Sequence, residues 1–172
     1  RNLLLWRDPS VDGIKTGHTS AAGYCLMASA QRGDQRLISV VMGDTSENQR
    51  ATDSLALLNW GFRFYESHRL YEANKSLATP KVWMGGANLV QVGVAQPLLV
   101  STPRGKYEKL KATMDLPKSL VAPIAKGQKI GMVKVSLDGK VIAQSPLVAL
   151  AAVEEGGFFT RLWHELLMWW QD

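Results

Sequence analysis

Val11-Asp12-Gly13-Ile14-Lys15-Thr16-Gly17-His18-Thr19-Ser20-Ala21-Ala22-Gly23-Tyr24 is the stretch on which the reading of this sequence turns. Val11 to Thr16 has the content of a short strand. It runs into a lysine, a hydroxyl and a glycine side by side. A lysine and a hydroxyl at the end of a strand can grip an anionic carboxylate. The glycine lets a substrate backbone lie close and pair with the strand edge. Amides just after it can donate to a developing oxyanion. Alone, Lys15-Thr16-Gly17 says little. A chain of this length meets that tripeptide by chance roughly a few per cent of the time, and a loop without function would read the same.

Working outward, residues 1 to about 65 read as α/β. Ala22 to Ala30 and Arg36 to Met42 alternate as strands, with turn chemistry at Gln31-Arg32-Gly33-Asp34, so an antiparallel hairpin is expected. A helix should follow. Ser46 with Gln49 three residues on has the form of a capping box. Ala51, Leu55, Leu58 and Phe62 then recur at helical spacing, with Asp53 and Asn59 on the wet face. The single cysteine, Cys25, excludes an intrachain disulfide and reads as a structural, buried residue.

Helical periodicity stops at about residue 66. Short β-type runs replace it at Lys81 to Met84, Val90 to Val94, Leu98 to Thr102, Leu110 to Leu116, Lys129 to Leu137 and Lys140 to Leu150. Turn signals separate them. The Asp138-Gly139 pair is a two-residue hairpin signal, and Ala125-Lys126-Gly127-Gln128 is a second turn. The segment reads as a small antiparallel sandwich or barrel. Pro103-Arg104-Gly105-Lys106 reads as a basic hairpin tip.

The tail changes again after Glu154-Glu155-Gly156-Gly157. On a helical wheel Phe158, Phe159, Leu162, Trp163, Leu166, Leu167, Trp169 and Trp170 fill about half the circumference, with Thr160, Arg161, His164 and Glu165 opposite and Met168 on the wrong side. Such a helix is roughly 20 Å long, too short to span a hydrocarbon core of about 30 Å. Tryptophan-rich amphipathic helices prefer the membrane surface; an ordinary core helix is the other reading.

Composition limits the rest. A hydrophobic fraction of 46% is enough for a packed core. Lys and Arg total 20 against 15 acids, a net charge of +5 with no basic run. No phosphate-cradling loop and no nucleic-acid motif occurs, so no nucleic-acid partner is expected. His68 and His164 lack metal-type neighbours, and neither a metal nor another cofactor is expected.

The longer string Asp12-Gly13-x-Lys15-Thr16-Gly17-x-Thr19 followed by Ala22-Gly23 resembles the low-molecular-mass penicillin-binding proteins, the D-alanyl-D-alanine carboxypeptidases of the five and six type. The resemblance continues through Arg36 to Gly43, Leu58-x-Trp60-Gly61-Phe62-Arg63-Phe64, Thr102 to Gly105, Leu137 to Lys140 and the Gly-Phe-Phe start of the tail. It implies an α+β chain: the C-terminal part of a penicillin-binding/β-lactamase-like transpeptidase domain (1–64), a β-rich domain (65–153) and an amphipathic membrane-surface helix (154–172). It implies a periplasmic enzyme, peripheral on the bacterial inner membrane. Such an enzyme trims the terminal D-alanine from peptidoglycan stem peptides through an acyl-serine, and β-lactam antibiotics trap that serine. Residue by residue, it makes Lys15, Thr16 and Gly17 the substrate-binding motif, the His18 backbone N–H an oxyanion donor and Arg50 a substrate-carboxylate arginine. A solvated helix arginine is the other reading of Arg50.

The family's Ser-x-x-Lys and Ser-x-Asn motifs lie upstream of Lys-Thr-Gly. No serine here has a lysine three residues on, and the sequence is read as carrying neither motif. Ser20, Ser29 and Ser39 show no neighbouring base. The sequence opens at Arg1-Asn2-Leu3-Leu4-Leu5-Trp6, which already reads as folded chain, so it is expected to start inside a domain, with an N-terminal half as partner. Taken alone it is expected to be inactive. The alternative is a non-catalytic membrane-bound spacer or binding module.

Overall fold

A computed structural model describes residues 1–157. The chain divides into two compact units, Arg1–His68 with Ser101–Tyr107, and Arg69–Val100 with Glu108 onward.

In the first unit a single helical turn, α1 (Leu4–Arg7), leads into β1 (Val11–Thr19), β2 (Gly23–Arg32) and β3 (Gln35–Asp44). The three form an antiparallel sheet in the order β1-β2-β3. The hairpin turn is tighter than expected: β2 runs to Arg32, which pairs with Gln35, and Gly33 takes the left-handed conformation. Helix α2 (Glu47–Phe64) covers one face of the sheet. Leu26, Ala28 and Ala30 of β2 point inward and meet Ala51, Leu58 and Phe62, with Leu4 and Val11 closing the cluster. Alanines at alternate strand positions leave room for the helix to approach. Burying each larger side chain contributes about 1.5–3 kcal/mol before entropy is counted.

The helix ends are fixed by identifiable contacts. The Ser46 hydroxyl accepts from the Gln49 backbone N–H at 3.1 Å. The Gln49 side chain does not return to Ser46, as a full capping box requires; it donates to Asp53 at 2.9 Å. At the other end Arg104 supplies the cap. Its guanidinium donates to the carbonyls of Phe62 and Arg63, and its backbone N–H to Phe64. The basic tip that reads as a hairpin turn thus satisfies the last carbonyls of α2.

Beyond Tyr65 the chain is β-rich: β4 (Tyr65–Tyr71), β5 (Lys81–Trp83), β6 (Val92–Val94), β7 (Leu98–Pro103), β8 (Lys111–Asp115), β9 (Ser119–Val121), β10 (Lys129–Leu137) and β11 (Lys140–Ala149). One sheet has the order β6-β11-β10-β8; β4 pairs with β7, and β5 with β9 in parallel. The boundary between the units runs through β4 and β7. Strand β4 escaped the sequence reading because Tyr-Glu-Ser-His-Arg-Leu-Tyr shows no alternation, and α1 is too short to show a period. The second unit's core gathers Val82, Val92, Val94, Val133, Val135 and Leu147. Val133 and Val135 are fully buried while Lys134 between them is not, the period of a strand with one wet face. Asp138 and Gly139 both take positive φ, 49° and 81°, between Leu137 and its partner Lys140. That is the primed turn their sequence calls for.

The expected tail helix and its membrane-facing residues lie outside the described residues. Among the described residues no helix is long and apolar enough to cross a membrane.

Two substitutions probe these contacts. A Cβ on Gly93 would stand 2.2 Å from the Lys75 carbonyl oxygen, so Gly93→Ala should destabilise the protein by about 2–4 kcal/mol in urea unfolding. Asp8 accepts from the hydroxyl and backbone N–H of Ser10 and from Arg32, and these contacts hold its carboxyl below the usual range. A lowered folded-state value stabilises above the ordinary carboxylate range and is lost as pH falls through it. Asp8→Ala should therefore cost about 1–2 kcal/mol near pH 7, and the gap to the parent should narrow in acid unfolding series below about pH 3.

Candidate functional site

Among the described residues strand β1 has a hydrogen-bonded neighbour on one side only, β2. Its register places Lys15 opposite Met27, Thr16 opposite Leu26, Gly17 opposite Cys25 and His18 opposite Tyr24. Successive strand residues point to opposite faces. Thr16 therefore shares a face with Leu26, the side covered by α2, and Lys15 shares the opposite face with Met27. One carboxylate can touch both only by lying along the open edge of β1, where the two side chains flank it. Lys15 is exposed and Thr16 half-buried, as such a role requires. The Lys15 ammonium donates to the Thr16 carbonyl at 2.7 Å. An ammonium carries three donors, so this contact steadies it and leaves capacity for an anion.

The face that Lys15 shares is apolar. Ile38, Val40 and Met42 of β3 are exposed on it beside Met27, with Met42 at 77%. Between β1 and β3 lies a shallow depression of about 260 Å³, lined by Lys15, Thr16, Gly17, Cys25, Met27 and Met42 among others.

Arg50 is 3% exposed, which removes the solvated-helix reading. It reaches from α2 to the end of β1. One guanidinium nitrogen donates to the carbonyls of Gly17 at 3.2 Å and Cys25 at 3.4 Å, the other to the Arg1 carbonyl at 3.3 Å and the Glu47 carboxylate at 3.2 Å. Its charge sits directly behind Gly17, and β1 runs on to Thr19, past the Thr16 at which the sequence suggested the strand would stop. Tyr24 links it to His18: the Arg50 guanidinium lies 5.5 Å from the Tyr24 ring centre, and the His18 ring 4.0 Å from it. The sequence reading named His18, Lys15, Thr16, Gly17 and Arg50, and all five stand around this strand end. It missed Tyr24 and Glu47, whose sequence signals are an aromatic in a strand and an acid in a helix's first turn.

Cys25 is half-buried, not buried. It belongs to the β2 face turned from α2, beside Gly17, which has no side chain to cover it. Two of the serines considered in the sequence have partners already. Ser39 bonds Ser54 in the core, and Ser29 accepts from Arg36. Ser46-Glu47-Asn48 has the letters of a Ser-x-Asn motif, but its hydroxyl is spent as the α2 cap. Among the described residues no group of three or more His, Cys, Asp or Glu side chains is placed to hold a metal.

The sequence pattern of the family described as penicillin-binding protein 5, C-terminal domain, matches residues 65–155. The chain belongs to this family. The pattern of the D-alanyl-D-alanine carboxypeptidase family matches residues 1–46, the part that carries Lys15-Thr16-Gly17. The chain is 45% identical over 170 residues to D-alanyl-D-alanine carboxypeptidase DacC of Escherichia coli, covering 98% of this chain and 42% of that relative. It is 44% identical to DacA of Haemophilus influenzae, covering 98% of this chain and 44% of the relative. The crystal structure of penicillin-binding protein 5 from Haemophilus influenzae superposes with a TM-score of 0.79 at 44% identity, over 90% of this chain and 46% of that one. The chain thus spans less than half the length of the relatives it matches.

Arg50 holds three backbone carbonyls without any ligand. Arg50→Ala should lower stability in urea unfolding by about 2–4 kcal/mol. An arginine kept only for substrate would leave the unfolding midpoint unchanged.

Proposed function

We propose that this chain supplies the carboxylate-gripping wall of a serine D-alanyl-D-alanine carboxypeptidase acting on peptidoglycan stem peptides. The observation that carries the reading is the open edge of β1, with Lys15 and Thr16 flanking it and the buried Arg50 charge behind Gly17. A stem peptide lying antiparallel to β1 pairs its backbone with the strand, as in strand addition. Its terminal carboxylate meets the Lys15 ammonium and the Thr16 hydroxyl. The His18 backbone N–H donates to the oxygen of the scissile carbonyl as charge develops there.

The nucleophile comes from polypeptide outside this sequence, from an N-terminal half that acts as partner. The apolar face of Met27, Ile38, Val40 and Met42 is the surface on which that half would sit, bringing a Ser-x-x-Lys pair over Lys15. The serine oxygen then attacks the D-alanyl carbonyl. Terminal D-alanine leaves with the proton, and water hydrolyses the acyl-serine. β-Lactams acylate the same oxygen by opening their strained amide. The activity places the protein in the periplasm. The aromatic face of residues 158–170 would hold it at the inner-membrane surface, mainly by apolar burial.

Incubated with a fluorescent penicillin and run on a denaturing gel, this chain alone should carry no covalent label. Co-expressed with the part of the Escherichia coli relative that precedes the matched segment, it should restore a labelled band on that part. Lys15→Ala should then reduce labelling by about a hundredfold or more. Label on the chain by itself would overturn the division of labour. For the tail, a chain ending at Gly157 should lose liposome binding, while raised salt should weaken binding by the parent only slightly.

A further inference from the structure

Strand β8 (Lys111–Asp115) is an edge strand of the second unit's four-stranded sheet. It pairs with β10 on one side, and among the described residues its other side carries no strand. All five of its residues are exposed. An uncovered edge presents a row of backbone donors and acceptors ready to pair with another strand.

The sequence of this edge is self-complementary. Lys111-Ala112-Thr113-Met114-Asp115 has opposite charges at its two ends and a polar residue at its centre. By strand parity Lys111, Thr113 and Asp115 share one face, and Ala112 and Met114 the other. A second strand of the same sequence, laid antiparallel about a two-fold axis at Thr113, brings each Lys111 opposite Asp115 of the second copy. Each Met114, itself 39% exposed, comes opposite Ala112 of the second copy. Within the chain neither the Lys111 ammonium nor the Asp115 carboxylate is committed to an ion pair among the described residues.

We propose that β8 is a homotypic interaction surface, and that a second copy of this chain adds to it in the antiparallel register centred on Thr113. The contact is isologous, so it closes as a dimer. It joins the two sheets into one and removes both open edges. The alternatives are worse on charge alone. Parallel addition sets Lys111 beside Lys111. A slip of two residues sets either Asp115 or Lys111 of each copy opposite Thr113, depending on its direction, and leaves the other without a partner in the strand. Opposite charges across a strand pair stabilise it and like charges weaken it. Lys111 also keeps arbitrary strands away from the edge, so the charge pattern selects its own copy over unrelated segments. Five residues on each side make a smaller contact than a standard interface, so the dimer is expected to be weak and to form at high protein concentration.

The test uses the full chain in a Cys25→Ser background. Directly opposed strand residues have Cβ atoms about 4.5–5.5 Å apart, close to disulfide reach. Thr113→Cys should give a disulfide-linked dimer on mild oxidation, while Ala112→Cys and Lys111→Cys, which do not face themselves, should not. In sedimentation equilibrium, Lys111→Asp should weaken association about tenfold or more, because it puts two like-charged pairs into the contact. The double exchange Lys111→Asp with Asp115→Lys should restore it, which a merely damaged strand could not do. A parent chain that stays monomeric at high concentration, association indifferent to both exchanges, or cross-linking equal at all three positions would each overturn the inference.

Discussion

Among the described residues strand β1 has a partner strand on one side and none on the other, and the chemistry proposed for this chain depends on that asymmetry. A strand buried in the middle of a sheet would have its backbone groups paired and its alternate side chains sealed against two layers. An edge strand keeps a row of donors and acceptors for a ligand. It also lets residues on opposite faces, Lys15 and Thr16, reach the same anion from its two sides. The edge must still be held in place. Arg50 binds the Gly17 and Cys25 carbonyls, drawing both strands of the β1–β2 ladder to one guanidinium. Removing the charge from water is offset by three carbonyls and one carboxylate, the pairing a buried arginine needs.

The same sheet has two unlike faces. The α2 face is filled by alanines and leucines at strand period and tied by the Ser39–Ser54 hydroxyl bond. The opposite face carries Met27, Ile38, Val40 and Met42 in the open. A contiguous exposed apolar surface of this kind marks an interaction site, and it adjoins the residues that would hold substrate. In the second unit the edges are managed differently. Strand β6 is fully buried and bridged by Ala78, whereas β8 is short, open and charged. A protected edge and an open one in a single sheet show that the exposure of β8 is local to that strand.

Much of this was legible in the residues. The hairpin of β2 and β3, the helix after Ser46, and the long β10–β11 hairpin with its Asp138-Gly139 turn all follow from period and turn chemistry, which act over a few residues. What escaped lacked such a signal. Strand β4 shows no alternation, β9 is three residues long, and α1 is a single turn. Gln49 matched a capping-box position yet spends its side chain on Asp53, because a local pattern names a possible bond and the neighbours choose among the alternatives. The basic tip at Arg104 looked like a free turn, and its partners are carbonyls about forty residues earlier; no spacing rule reaches that far.

For the site, the sequence by itself determined the chemical groups: an ammonium, a hydroxyl and a glycine in succession on a strand, with no serine–lysine pair to act on what they hold. These are properties of residue type and near spacing, and they survive any arrangement of the rest. Only the tertiary structure decided that the strand is an edge, that Arg50 is buried against it, that Cys25 is half-open, and that Tyr24 joins His18 to Arg50. Each of these depends on which distant segments meet. That is set by the packing of α2 on the sheet, where burial of apolar surface far from Lys15 fixes the geometry around it.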